Sequence, residues 1–280
     1  MKSIKFFIFS SVLFLLYEFS LIKGSGRRLK KEKGVSTSHD NQERCKCGEF
    51  LLQQLDEYVN VTGIDGNAIE MKYTTKNLGI IGFGLFATVY HAHWSGGNTC
   101  VALKIYTFKN YFVQEFRVLN FFNGINDSER NYIIKMLGHG EYDGKFILAL
   151  ELGGKNLRDY YYEQFPRGRK MTRSYMQILT KMIKGAALAL AQFHKHGGHH
   201  DIKYDNFIVS RNQHPDADVI DVKLIDFNLS NLYGHQVDVE KIQKNDIKKF
   251  GEMVYRIINE HYTRGKFCMN VGFSKTYQKG

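Results

Sequence analysis

Proline is nearly absent: the 280 residues contain two, Pro166 and Pro215, against an average usage near 5%. That scarcity excludes proline-rich linkers, polyproline recognition segments and any family signature that needs proline elsewhere. Cysteine is sparse too. Cys45, Cys47, Cys100 and Cys268 do not make the dense framework of a small secreted scaffold. Cys45 and Cys47 are too close in sequence for an easy mutual bridge, and one intervening residue is not zinc-knuckle spacing. No metal is assigned to them, and the disulfide status of all four cysteines stays open. No internal repeat of about 20–50 residues is visible, which excludes solenoids and propellers. Nor does any apolar run reach the roughly 20 residues of a membrane span.

What is present fits a folded chain. Hydrophobic residues make up 43% and charged residues 24%, the balance of a packed globular protein rather than a disordered one. The net charge of +11 suits acidic partners: phosphorylated ligands, anionic membrane or nucleic acid. At the N-terminus, Lys2 and Lys5 precede an apolar stretch from Phe6 to Tyr17, and small residues follow at Gly24–Gly26. This pattern predicts a secretory signal peptide over 1–26, with a signal anchor as the alternative. A basic, polar linker is expected over 27–49. Sequons stand at Asn60, Asn126 and Asn228.

Apolar spacing predicts a short amphipathic helix from Phe50 to Val59, within an N-terminal extension over 50–75. Strand-like segments then dominate: Leu78–Ile81, Thr88–His93, Cys100–Tyr106 and Phe146–Leu150, interrupted by a helix over Gln114–Phe122. After Gly153-Gly154 the pattern becomes helical, with the longest helix running from about Thr172 to His196. A sheet-rich first part and a helix-rich second part make an α+β layout with two lobes.

Three segments carry chemistry. Gly82-Phe83-Gly84 sits between strand-like flanks, where glycines let a backbone approach phosphate oxygens; a strand follows, which argues against a dinucleotide-binding helix. Lys104 ends the apolar run Val101-Ala102-Leu103-Lys104. A lysine in that context needs an anionic partner, and Glu115 on the next helix offers one. Finally, His199-His200-Asp201-Ile202-Lys203-Tyr204-Asp205-Asn206 is followed twenty residues later by Asp226-Phe227-Asn228. Asn206 and Asp226 are hard-oxygen donors suited to Mg²⁺ beside phosphate, and Asp201 is then free to accept a hydroxyl proton.

In that order these motifs resemble the eukaryotic protein kinase signature, over roughly residues 76 to 258. The runs Leu150–Leu157 and Asp201–Phe207 resemble most the casein kinase one and vaccinia-related kinase group. The resemblance implies a two-lobed kinase-like fold, with a sheet-rich N-lobe over 76–151 and a helical C-lobe over 152–280 that is truncated. It also implies a protein Ser/Thr kinase with ATP and Mg²⁺ as cofactors. Asp201 and Lys203 would be catalytic, and Asn206 and Asp226 would hold the metal. ATP would lie against Ile81, Gly82, Phe83, Gly84, Val89 and Ala102; Lys104, held by Glu115, would bind phosphates, and the backbone at Glu151 and Gly153 would bind adenine. The implied partner is a protein substrate. No nucleic-acid motif is present, and membrane contact requires an uncleaved N-terminal segment.

The sequence also departs from that pattern. His200 replaces an arginine used to hold an activation-loop phosphate, so switching by phosphorylation is not expected. Asn228 replaces a glycine, and asparagine tolerates the left-handed backbone expected there. A glycan on Asn228 would block the metal site, so that sequon reads as unused. Asp246-Ile247-Lys248-Lys249-Phe250-Gly251 resembles the aspartate-led helix that anchors the kinase C-lobe, leaving twenty residues after Asp226 and no Ala-Pro-Glu signature. An ATP-binding pseudokinase and a kinase of a small-molecule acceptor therefore stand as alternatives. From Lys241 to Gly280, nine Lys or Arg oppose three acidic residues, a surface suited to acidic or already phosphorylated substrates.

Overall fold

A computed structural model describes residues 43–165, 172–211, 213, 217–234 and 238–272, with side chains as far as residue 259. The expected signal segment, both prolines and the Cys268 side chain lie outside the described residues.

The first part is strand-rich. Strands β1 (Glu57–Gly63) and β2 (Ala68–Tyr73) form a hairpin, followed by β3 (Ile80–Phe83), β4 (Ala87–Trp94) and β5 (Thr99–Tyr106). Helix α1 (Lys109–Asn123) precedes a second hairpin, β6 (Met136–Tyr142) and β7 (Lys145–Glu151). The strand order is β2-β1-β6-β7-β5-β4-β3, and β2 also pairs with β4 through Met71↔Trp94 and Tyr73↔Ala92. Six strands thus close into a barrel, with β3 attached outside. Its interior takes alternate residues, Val59 and Val61 from β1, Ile69 and Met71 from β2, Leu103 from β5 and Ala149 from β7, all buried.

The amphipathic helix expected over Phe50–Val59 is not formed. A single 3-10 turn at Leu52–Gln54 gives way to β1, whose exposed and buried residues alternate. Val59, Val61 and Thr62 are β-branched, and a partner strand rewards their period of two more than a helix rewards Leu51, Leu52 and Leu55. The segment expected as an extension is therefore built into the sheet. A second correction concerns Cys45 and Cys47. Their turn lies against β4 and β5, where His91 and Cys100 bring the ligand atoms of all four residues within 4.8 Å of one another. Sequence spacing missed this because the other two donors come from distant strands.

The second part is helical, as expected. Helix α2 (Leu157–Gln164) is capped by Asn156, whose side chain accepts from Asp159 N at 2.8 Å. Helix α3 (Arg173–Phe193) starts one residue after its cap, Thr172, and buries Leu179, Met182, Ala186, Leu190 and Phe193 along one face. Gly185 lets α3 approach the chain before the next hairpin, because a Cβ there would lie 2.0 Å from the Ile220 carbonyl oxygen. Two-residue strand β8 (Gly197–Gly198) pairs with β11 (Asn231–Leu232), and β9 (Phe207–Val209) pairs with β10 (Val222–Leu224). Helix α4 (Val239–Gly272) closes the described chain. Among the described residues, no helix is long and apolar enough to cross a membrane.

A second core joins the two parts. Phe122 of α1 stacks on Phe193 of α3 at 5.5 Å between centroids, and Phe193 stacks on Phe227 at 5.0 Å. Asp246, on the inner face of α4 with Met253 and Ile257, is fully buried. Its carboxylate accepts from His199 N at 2.8 Å and His200 N at 3.0 Å and lies 3.1 Å from His194 Nε2. Burial alone would raise this carboxyl, but these donors hold it below the ordinary aspartate value.

Two outcomes follow. Met71→Ala, in the barrel interior, costs about 2–5 kcal/mol of unfolding free energy, read as a lower denaturant midpoint. Asp246→Asn removes charge-assisted hydrogen bonds worth about 1.5–3 kcal/mol. Because the folded-state carboxyl is depressed, that contribution is complete above about pH 4, where an unfolded aspartate ionises, and is lost as pH falls below it. The difference between wild type and Asp246→Asn in denaturation midpoint is therefore constant near neutrality and shrinks in acid.

Candidate functional site

Alternation along β4 and β5 sets the site's upper wall. In register, Val89 faces Lys104 and His91 faces Ala102, so side chains two apart share the face opposite the barrel interior. Lys104 is buried there, and its Nζ donates to Glu115 Oε2 at 2.6 Å and Asp226 Oδ1 at 2.8 Å. The predicted Lys104–Glu115 pair is thus formed. Tyr106, two residues along the same strand, donates its hydroxyl to Glu115 Oε2 at 2.6 Å. Glu115 is itself fully buried, and its Oε1 has no partner among the described residues.

One ammonium serves two carboxylates. Burial opposes the charge on Lys104, but Glu115 and Asp226 together keep its pKa above the usual lysine value. Burial likewise works against Asp226, yet Lys104 first, then Lys203 and His199, hold its carboxyl below the ordinary range. Glu115 is left shifted upward by burial and by the Asp226 charge. Burial and the neighbouring Glu115 raise the Tyr106 phenol well above its usual value, which keeps it a donor.

The lower wall is the loop after β8. Lys203 Nζ donates to Asp201 Oδ2 at 2.6 Å, and Asn206 Nδ2 donates to Asp201 O at 2.8 Å and Oδ2 at 3.0 Å. With its amide nitrogen engaged, Asn206 has its side-chain oxygen left to offer a cation. Ile225 N donates to Asn206 O at 3.0 Å, which ties the chain bearing Asp226 to the loop. His199 orients both segments. Asp201 N donates to its Nδ1 at 3.3 Å, so the ring proton sits on Nε2 and is donated to Ile225 O at 2.9 Å. Burial keeps this imidazole neutral by lowering its pKa.

Backbone strain marks the same place. His200 has φ 67° and Asp226 has φ 66°, left-handed values uncommon outside glycine. The left-handed residue expected at Asn228 is therefore Asp226 itself, since Asn228 does not have a positive φ. Asn228 is 7% exposed, and Ser230, fully buried, donates its hydroxyl to His199 O at 3.1 Å. That packing agrees with an unused sequon.

The glycine loop overhangs the site between β3 and β4. A Cβ at Gly82 or Gly84 would meet only ordinary contacts, at 3.4 Å to Val89 Cβ and 3.6 Å to Ala87 O. Packing within the fold therefore does not demand glycine at either position. Phe83 is 85% exposed at the tip, and Ile81 is also exposed. Val89, Ala102 and Leu150 line the inner end, packed with Leu152 and Ile208. At the connection between lobes, Glu151 N donates to Lys135 O at 2.9 Å, and its side chain is held 2.7 Å from Lys223 Nζ. Gly153 packs against Ile208, where a Cβ would lie 2.0 Å from Cδ1.

The structure thus brings together Lys104, Glu115 and Asp226 in one ionic cluster and Asp201, Lys203 and Asn206 in another, joined through the Asn206–Ile225 bond. Two contributors were missed. Tyr106 gave no signal beyond an aromatic in a strand. Gln114, beside Glu115, donates to Ser230 O and, at 3.1 Å, to Asn231 Oδ1, linking α1 to the segment after Asp226; nothing in the sequence marks it. The donor set fits a nucleotide with Mg²⁺: a buried cation, two hard-oxygen side chains and a glycine turn between β3 and β4.

No curated protein matches the chain. The family model described as the protein kinase domain matches residues 75–248, more than half of the sequence, and its span contains every residue of both ionic clusters and the glycine loop. With its strand-rich N-terminal region and helical C-terminal region, this chain belongs to the protein kinase domain family.

Proposed function

We propose that this chain is a secreted or exported Ser/Thr kinase that uses ATP and Mg²⁺ to phosphorylate protein hydroxyls. The observation that carries the reading is the completed Lys104–Glu115–Asp226 cluster beside Asp201, Lys203 and Asn206. Bound Mg·ATP supplies the activated phosphoryl group and neutralises part of its charge. Lys104, kept charged and pinned by Glu115, would hold phosphate oxygens. Asp226 and the Asn206 oxygen would hold the metal. Asp201 accepts the proton of the acceptor hydroxyl, and Lys203, already 2.6 Å from it, offsets the charge of the group being transferred. The backbone at Glu151 and Gly153 would bind adenine, and Ile81, Val89 and Ala102 would pack on its ring. The N-terminal pattern from Lys2 to Tyr17 supports entry into the secretory pathway. Exposed Lys241, Lys244, Lys248 and Lys249 on α4 support a preference for acidic or already phosphorylated substrates.

A small-molecule acceptor is a second reading, favoured by the short path after Asp226. That path runs through β11 and reaches α4 at Val239, leaving little chain on which to seat a peptide.

Radiolabelled ATP with the purified chain tests the reading. Asp201→Ala is expected to lower turnover by roughly 10²–10⁴-fold, with ATP still bound. ATP binding without transfer to any acceptor points to an ATP-binding pseudokinase, whereas transfer confined to sugars or other metabolites selects the second. Tyr106→Phe removes a hydrogen bond to a charged group and is expected to weaken ATP binding by up to about tenfold, as measured by titration calorimetry. Preference for acidic peptides, if it arises from α4, declines as salt is raised.

A further inference from the structure

The cluster of three thiols and one imidazole on β4, β5 and the turn before β1 has no part in the chemistry above. Cys45 and Cys47 lie on a tight turn, closed by Gly48 N donating to Cys45 O at 2.8 Å and by Gly48 at φ 76°. The turn rests on β4 and β5, which present His91 and Cys100. Cys45 Sγ is 3.3 Å from Cys47 Sγ and 3.9 Å from His91 Nε2, and Cys47 Sγ is 3.3 Å from the same nitrogen. Cys47 N donates to Cys100 Sγ at 3.3 Å. All three cysteines are free.

From this convergence we infer that Cys45, Cys47, His91 and Cys100 bind one structural Zn²⁺. A tetrahedral ion with bonds of about 2.3 Å to sulfur and about 2.0 Å to nitrogen places its donors roughly 3.6–3.8 Å apart. The separations seen, from 3.3 Å to a limit of 4.8 Å, bracket that spacing, so small side-chain movements complete the shell. Soft thiolates without a carboxylate select zinc over Mg²⁺ or Ca²⁺. Four protein donors fill the shell, as in a closed structural site. On binding, the three thiols release three protons to solvent, and the imidazole binds through neutral Nε2.

The surroundings agree with a fixed donor set. His91 is fully buried, and Phe50 stacks on its ring at 4.2 Å between centroids. This stacking orients the imidazole, since Nδ1 has no hydrogen-bond partner among the described residues. The Cys47 N–H on Cys100 Sγ is the kind of outer-shell contact that steadies a metal thiolate. A disulfide uses two sulfurs only and gives no reason for a buried imidazole among three.

The location adds a consequence. His91 lies opposite Ala102 in the β4–β5 register, so the ion sits next to the adenine end of the cleft. On the far side of the turn, Glu49 pairs with Arg211, which follows β9 in the C-lobe. The metal thus fastens to the sheet a turn that also reaches the other lobe.

The test is metal analysis of the full chain, purified under reducing conditions with zinc supplied. About one zinc per chain is expected, and Co²⁺ exchanged for it is expected to show thiolate-to-metal charge transfer with tetrahedral d–d bands. Cys47→Ser and His91→Ala should each lower metal affinity by at least tenfold, whereas Cys47→His, which keeps a donor, should retain the ion. If a variant fails to fold, the cobalt spectrum of the wild type still decides between a sulfur-rich shell and none. Zinc content near zero, a metal that persists in both Cys47→Ser and His91→Ala, or an intact mass showing a disulfide among the three cysteines overturns the inference.

Discussion

The site depends on one buried ammonium between two carboxylates. An isolated charge at Lys104 would be expelled from such a place, and either carboxylate alone would be forced toward protonation. Together they hold the face of β5 opposite the barrel interior, the middle of α1 and the chain after β10 in one position. α1 can occupy this place because Val118, Leu119 and Phe122 are buried below Glu115 on the same helical face. The electrostatic cluster therefore reports on packing as well as chemistry: any shift of α1 away from the sheet parts Glu115 from both Lys104 and Tyr106.

Around that cluster, the structure divides rigid support from reactive groups. Asp246 and His199 never face the cleft, yet both hold the loop that carries Asp201 and Asn206. One does so through two backbone N–H groups, the other through a neutral ring bridging to Ile225. The strained backbones of His200 and Asp226 lie directly beside these supports. Strain of about 1–3 kcal/mol per residue persists only where neighbours over-determine the conformation, which is what the buried carboxylate and imidazole provide.

Much of this was legible in the sequence because charge in an apolar context has few explanations. Lys104 announced a partner, Glu115 stood at a helical position able to supply it, and the motifs bearing Asp201, Asn206 and Asp226 come together in the fold. Thr172–His196 was equally plain from its period. The failures share a cause: the information lay in tertiary pairing. Leucines at 51, 52 and 55 suggested a helix until β-branched residues found partner strands in β2 and β6. Cys45 and Cys47 looked like a stray pair because His91 and Cys100 are remote in sequence. Tyr106 was indistinguishable from any strand aromatic, since its role depends on where Glu115 lies.

The closed ring formed by β2 pairing with β4 changes the mechanics of the upper lobe. An open sheet can shear or peel at either margin, whereas a ring of hydrogen-bonded strands carries a load around its whole circumference. Force applied at the glycine loop passes through β4 into both β5 and β2 instead of bending one margin. The lobe then moves as a stiff body, and opening of the cleft falls to the short connection from Leu152 to Gly154, a hinge rather than a flexing wall.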